Sequence, residues 1–162
     1  NRMSQKNKQD KKNRKTKIMA VASWGGHLVQ LNRVIRPFES KYDIVYLSTA
    51  KEAKAAKYKK GMYVINDFSR SNWRAIFGSI NMCRRIIKRE KPDLVISTGA
   101  APGLSAIIVA KMMGLRTLWI DSIANADRLS LCGRIASHIA TTTLTQWPHL
   151  QSKRVKYAGT VL

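Results

Sequence analysis

Adjacent glycines followed by a histidine, in Ser23-Trp24-Gly25-Gly26-His27, form the first constellation in this sequence with chemical reach. Between a strand and a helix, such glycines permit a tight turn and let an anion approach backbone N–H groups at the helix N-terminus. The same pair also suits a plain strand-to-helix turn. The spacing is neither GxGxxG nor the GxxxxGK[ST] of a Walker loop. His27, in the first helical turn, has the chemistry of a base or of a diphosphate ligand. Ser97-Thr98-Gly99-Ala100-Ala101-Pro102-Gly103 repeats the arrangement, with Pro102 suited to a first helical turn. Close packing of a helix on a sheet accounts for this segment, and so does a ligand crevice beside the first loop. In Asp121-Ser122-Ile123-Ala124-Asn125-Ala126-Asp127-Arg128, Asp121 at a strand end is the candidate functional carboxylate, and Asp127 is placed to cap the next helix. Three histidines and nine acids show no metal-ligand spacing, so no metal and no other cofactor is expected.

Charge is the second signal. Thirty Lys and Arg stand against nine Asp and Glu, a net charge of +21 that draws the chain toward polyanions such as anionic lipid, phosphorylated substrate or nucleic acid. Lys51, Lys54, Lys57, Lys59 and Lys60 crowd one segment, and Arg84, Arg85, Lys88 and Arg89 crowd the end of a long helical pattern with Lys91. A solvated face explains such runs, and cations also suit a helix C-terminus. Together with the basic N-terminal stretch they point to an anionic surface partner, with Arg84, Arg85, Lys88 and Arg89 as the membrane-facing set. Cys83 and Cys132 lack CxxC spacing and read as buried, reduced thiols in a cytosolic setting. The densest apolar region, residues 104–115, is broken by Lys111 and too short to span a bilayer.

These residues need a frame, and the hydrophobic pattern supplies one. Residues 1–17 hold eight Lys or Arg and almost nothing apolar, which predicts a disordered basic tail ahead of one domain over residues 18–162. Strands are expected at 18–23, 43–48, 62–65, 93–98, 116–121 and 141–145, with an edge at 155–161. Helical periodicity places Leu28, Leu31, Ile35 and Phe38 on one inward face. A short helix is expected over 51–60. A long one, capped by Ser71 or Asn72, runs to about Lys91 with Trp73, Ile76, Phe77, Ile80, Cys83 and Ile87 inward. Another follows Gly103, and the last spans 128–140. Strands alternating with helices imply a Rossmann-like α/β domain, a parallel sheet with helices on both faces and ligands at the carboxyl ends of its strands.

The run Ala22-Ser23-Trp24-Gly25-Gly26-His27-Leu28-Val29-Gln30-Leu31 resembles the opening loop of the PssD-type polysaccharide glycosyltransferase subunits. Their eukaryotic relative is the membrane-anchoring subunit of the transferase that adds the second N-acetylglucosamine to dolichol diphosphate. Further likeness lies in the run from Pro92 to Gly103, in Asp121-Ser122-Ile123-Ala124 with Asp127-Arg128-Leu129-Ser130, in Gln146-Trp147-Pro148 and in Tyr157-Ala158-Gly159. The family usually carries Glu where Asp121 stands.

The resemblance implies the N-terminal half of a GT-B glycosyltransferase, also similar to the lipid II-forming MurG. It implies a separate donor-binding subunit that shares a UDP-sugar, a polyprenyl-diphosphate-linked acceptor, and a place on the cytoplasmic face of a membrane, peripheral or anchored by a helix upstream. Transfer would be inverting and metal-free. By similarity to the Gly-Gly-His loop of MurG, His27 is the candidate base or diphosphate ligand, with Ser23, Gly25, Gly26, Thr98, Gly99, Gly103 and Asp121 around the acceptor. Two rivals remain from composition. A basic nucleic-acid-binding module fits the charge, but no helix-turn-helix, zinc or RRM pattern appears. A complete nucleotide-dependent enzyme would need a second such domain.

Overall fold

The computed structural model describes residues 14–49, 61–67 and 70–161. Among these, seven strands form one sheet: β1 (Lys17–Ala22), β2 (Asp43–Ser48), β3 (Tyr63–Val64), β4 (Leu94–Ser97), β5 (Arg116–Ile120), β6 (Thr142–Thr145) and β7 (Lys156–Tyr157). Their order is β3-β2-β1-β4-β5-β6-β7, and every neighbouring pair is parallel. The helices are α1 (Gly26–Ile35), α2 (Ala75–Glu90), α3 (Ala100–Met112) and α4 (Leu131–Ile139). The expected Rossmann-like sheet with helices on both faces is present.

Strand β1 shows how the sequence chooses its faces. Side chains alternate along a strand, so Met19 and Val21 join one core with Cys83, Ile87, Ile107 and Trp119 of α2, α3 and β5. Ile18, Ala20 and Ala22 join the other, against Leu28, Leu31 and Ile35 of α1. Both faces are covered, which is why the strand reads as an unbroken apolar run. Helix α3 is apolar nearly all round and accordingly buried on most sides, from Pro102 to Ala110.

Several expectations needed correction. Trp73 and Phe77 do not face inward: they are 58% and 65% exposed, because the α-helix begins only at Ala75 and turns Ser79, Cys83, Ile86 and Ile87 to the core. Neither Ser71 nor Asn72 caps it; both belong to a short 3-10 turn, and the N-cap position is Arg74. Phe38 also leaves the core, since α1 ends at Ile35 and a Pro-containing 3-10 turn redirects the chain. There Phe38 lines a groove of about 600 Å³ with Val34, Leu94, Ile96 and Leu118. The last helix starts at Leu131 rather than 128, and Ser130, not Asp127, caps it by accepting from the Gly133 N–H. Cys132 is only half-buried, and the edge at 155–161 reduces to the two residues of β7. The expected helix at 51–60 and its lysines, and residues 1–13 of the tail, lie outside the described residues. The end of that tail is built into the domain: Lys17 opens β1, and Arg14 donates to both oxygens of Asp93.

At the amino edge of the sheet Glu90 accepts from the Tyr63 hydroxyl and from Lys17 Nζ. These two bonds hold the Glu90 carboxyl below the usual carboxylate range, the tyrosine contributing most. The same carboxylate raises Tyr63 and Lys17 above their ordinary values. The triad joins β1, β3 and the end of α2. Glu90→Gln should lower unfolding free energy at pH 7 by about 1–2 kcal/mol, the scale of bonds to a charged partner. A depressed carboxylate stabilises above its unfolded value and loses that share as pH falls through the folded one. Urea midpoints for the native and Glu90→Gln chains should therefore converge in acid. The Tyr63 and Lys17 shares, present below ~10, should fade as pH rises through their raised values.

Candidate active-site crevice

The strand order reverses direction of winding between β1 and β4, and the loops leaving these two strands diverge at the carboxyl edge. Ser23, half-buried, follows the first strand, and Trp24 comes next with its N–H bonded to Thr49 Oγ1. Gly25 then adopts φ 108°, a conformation that only glycine takes without strain, and α1 starts at Gly26. A Cβ at Gly25 or Gly26 would meet nothing within 4 Å, so both open onto free space. Across the gap, Gly99 has φ 139° and Ala100 φ 67°, and α3 begins at once. A non-glycine residue at positive φ is costly and is held here by its surroundings.

His27 bridges the two loops. Its Nδ1 lies 3.0 Å from the Thr98 carbonyl oxygen, and Thr98 Oγ1 donates to the His27 carbonyl at 2.6 Å. Gly99 packs against the imidazole so closely that a Cβ there would stand 2.5 Å from Nδ1. Neither α1 nor α3 has a side-chain cap or an acidic residue in its first turn. Two helix N-termini, each an electropositive end, are therefore linked by His27, which stands in the first turn of α1 and contacts the loop before α3.

The structure gathers Ser23, Gly25, Gly26, His27, Thr98 and Gly99 in this crevice, although Thr98 is buried and spends its hydroxyl on the clasp. Gly103 does not join them. It lies in α3 over the sheet, where a Cβ would come within 2.0 Å of Ser97 Oγ, so it serves helix-to-sheet contact.

Asp121 is not turned to the crevice either. It is 2% exposed and accepts from Trp119 Nε1, Asn125 Nδ2, Ser130 N and Ser130 Oγ. The carboxylate thus ties the loop 121–130 back onto β5. Arg84, Arg85, Lys88 and Arg89 are exposed on α2, away from the crevice.

Sequence reasoning assigned no role to the two glutamines that brace this edge. Gln30 of α1 donates to Ser122 Oγ, and its Oε1 accepts from Ile123 N and from Gln146 Nε2. Gln146 also donates to the Asp121 carbonyl and accepts from Val161 N. Trp147 Nε1 and His149 Nε2 then bond the Ile123 and Ala126 carbonyls. A buried polar residue at a strand end, as in Gln146-Trp147-Pro148, is the signal that was available. Among the described residues, no group of three or more His, Cys, Asp or Glu is placed to hold a metal ion.

The fold defines the structural class: a Rossmann-like domain with the architecture of one half of a GT-B fold. The structure is similar to MurG from Acinetobacter baumannii, with a TM-score of 0.77 and 17% identity over 91% of this chain and 46% of that one. It is also similar to UDP-N-acetylglucosamine 2-epimerase from Rickettsia bellii, with a TM-score of 0.71 over 45% of that chain. The chain belongs to the family described as Alg14-like oligosaccharide biosynthesis proteins, whose model matches residues 40–161. Mouse UDP-N-acetylglucosamine transferase subunit ALG14 is 24% identical over 90% of this chain and 83% of its own length. The UDP-N-acetylglucosamine–N-acetylmuramyl-(pentapeptide) pyrophosphoryl-undecaprenol N-acetylglucosamine transferase of Haemophilus influenzae is 27% identical over 86% of this chain, which spans 44% of that enzyme.

The carboxylate arrangement gives a direct test. Asp121→Ala strands the buried donors of Trp119 and Ser130, each worth about 1–3 kcal/mol when left unpaired. Unfolding free energy in urea should fall by about 2–4 kcal/mol. Asp121→Asn, which keeps one acceptor oxygen, should fall by less.

Proposed function

We propose that this chain is the acceptor-binding, membrane-recruiting subunit of a bipartite inverting glycosyltransferase in lipid-linked oligosaccharide or polysaccharide synthesis. The observation that carries the reading is the crevice at the winding reversal, where two uncapped helix N-termini flank His27. N–H groups of this kind suit the diphosphate of a polyprenyl-linked acceptor. His27 takes the acceptor hydroxyl's proton as its oxygen attacks the anomeric carbon and the nucleoside diphosphate leaves. The names of the relatives, a UDP-N-acetylglucosamine transferase subunit and undecaprenol-linked transferases, support a UDP-sugar donor and a lipid-linked acceptor. The printed name of the mouse relative, a transferase subunit, supports a donor site on a partner subunit, with the UDP-sugar shared across the cleft.

The membrane face is α2. Trp73 and Arg74 just before it and Phe77 in its first turn are exposed at one end, and Arg84, Arg85, Lys88 and Arg89 at the other, with no acid from Ser71 to Arg89. Trp73 and Phe77 meet edge to face, and the Arg74 guanidinium lies over the Trp73 ring. Aromatic rings beside cations suit the headgroup region of an anionic leaflet. No helix among the described residues is long and apolar enough to cross a bilayer, and the reading places this domain on the cytoplasmic face. This surface gives part of the chain's positive charge an anionic partner other than nucleic acid.

Two measurements test the assignment. Label from radioactive UDP-N-acetylglucosamine should enter a membrane lipid extract only when this chain is combined with its donor-binding subunit; transfer by the chain alone would refute the half-enzyme reading. Replacing Arg84, Arg85, Lys88 and Arg89 with Glu should weaken sedimentation with phosphatidylserine vesicles at least tenfold, at about 1 kcal/mol per cation. Trp73→Ser with Phe77→Ser should weaken it at high salt as well. Unaltered binding by both variants would move the membrane contact elsewhere.

A further inference from the structure

His27 is half-buried, and its two ring nitrogens stand in different surroundings. Nδ1 faces the Thr98 carbonyl oxygen at 3.0 Å. A carbonyl oxygen only accepts, so the nitrogen opposite it carries the hydrogen. Nε2 makes no hydrogen bond among the described residues. Two contacts fix the ring's surroundings: the Thr98 hydroxyl bonds the His27 carbonyl, and the Nδ1–Cε1 edge occupies the volume that a Cβ at Gly99 would need, 2.5 and 2.6 Å away.

We propose that Thr98 and Gly99 are positioning residues that hold His27 as its Nδ1–H tautomer and present a bare Nε2 to the acceptor hydroxyl. The inference rests on the reading of the crevice as an acceptor site and decides between base and diphosphate ligand. A neutral ring with Nε2 unprotonated is an acceptor of protons, not a donor to phosphate oxygen. In the transfer step the hydroxyl proton moves to the Nε2 lone pair, and the freed oxygen bonds the anomeric carbon. The bond from that carbon to the nucleoside diphosphate breaks with its electron pair. The resulting imidazolium keeps Nδ1–H on the Thr98 carbonyl, which stabilises the new charge.

The other histidines provide internal standards. His149 faces the Ala126 carbonyl through Nε2 at 2.6 Å, and His138 faces the Arg134 carbonyl through Nδ1 at 2.9 Å. In long-range proton–nitrogen spectra of the 15N-labelled chain, well above the ordinary histidine pKa of ~6.5, His27 should show the His138 pattern. His149 should show the opposite one, and His27→Ala identifies the signals. A His27 signal with Nε2 protonated overturns the proposal.

The second arm is sugar transfer from radioactive UDP-N-acetylglucosamine in membranes carrying each variant as the only copy. Gly99→Ala should slow transfer on the order of 100-fold, as expected for a displaced base. The pair Gly99→Ala with His27→Ala should be no slower than His27→Ala alone. A Gly99→Ala loss that recurs in full without the imidazole overturns the positioning role. Undiminished transfer by His27→Ala would instead sink the acceptor-site reading and the base with it, whatever tautomer the spectra show.

Discussion

A parallel sheet whose first strand lies in its interior must reverse its direction of winding, and here it does so between β1 and β4. Chain leaving β1 travels toward β2, and chain leaving β4 travels toward β5. The two loops part at the carboxyl edge. What keeps the gap a defined crevice is the reciprocal pair of bonds between His27 and Thr98. The glycines follow from that geometry: Gly25 turns the chain into α1 at positive φ, and Gly99 yields the volume that the imidazole occupies.

Beside the crevice the edge is braced by polar side chains that have no contact with bulk water. Asp121 and Gln146 are each 2% exposed, and their bonds join β5, the loop 121–130, α1 and the C-terminal segment. Polar networks of this sort rigidify when every member is satisfied. In this one the Asp121 carboxylate and the Gln30 and Gln146 amide oxygens all have partners. The loops that frame the mouth of the crevice are thus held by side chains whose work is structural.

Fold class was legible in the sequence because it depends on period, and β1 to β6 carry theirs openly. The crevice was legible for a related reason: Gly-Gly-His and Thr-Gly-Ala follow apolar runs directly, and strand ends in a parallel sheet converge on one edge. The roles of Asp121 and Gly103 were not. Both positions look functional by type and place, and only the direction of a side chain, or the lack of room for one, shows them committed to Ser130 and to Ser97. Trp73 and Phe77 fit a helical period that began too early. A 3-10 turn at 70–72 delays the helix, and with it the face that the period was counted from.

The central place of β1 also bears on how the chain comes into being. Strand β1 is made first and stands between β2 and β4, with Ile18 facing both Ile44 and Leu94. During synthesis β2 can pair with one side early, but the other side has to wait for some fifty residues more. Any nascent chain ending before Leu94 therefore carries an apolar strand with one row of N–H and C=O groups unmatched, the kind of edge that recruits foreign strands. The fold is closed by its middle strands rather than its ends, and folding of the amino-terminal half is completed only by residues from the carboxyl-terminal half.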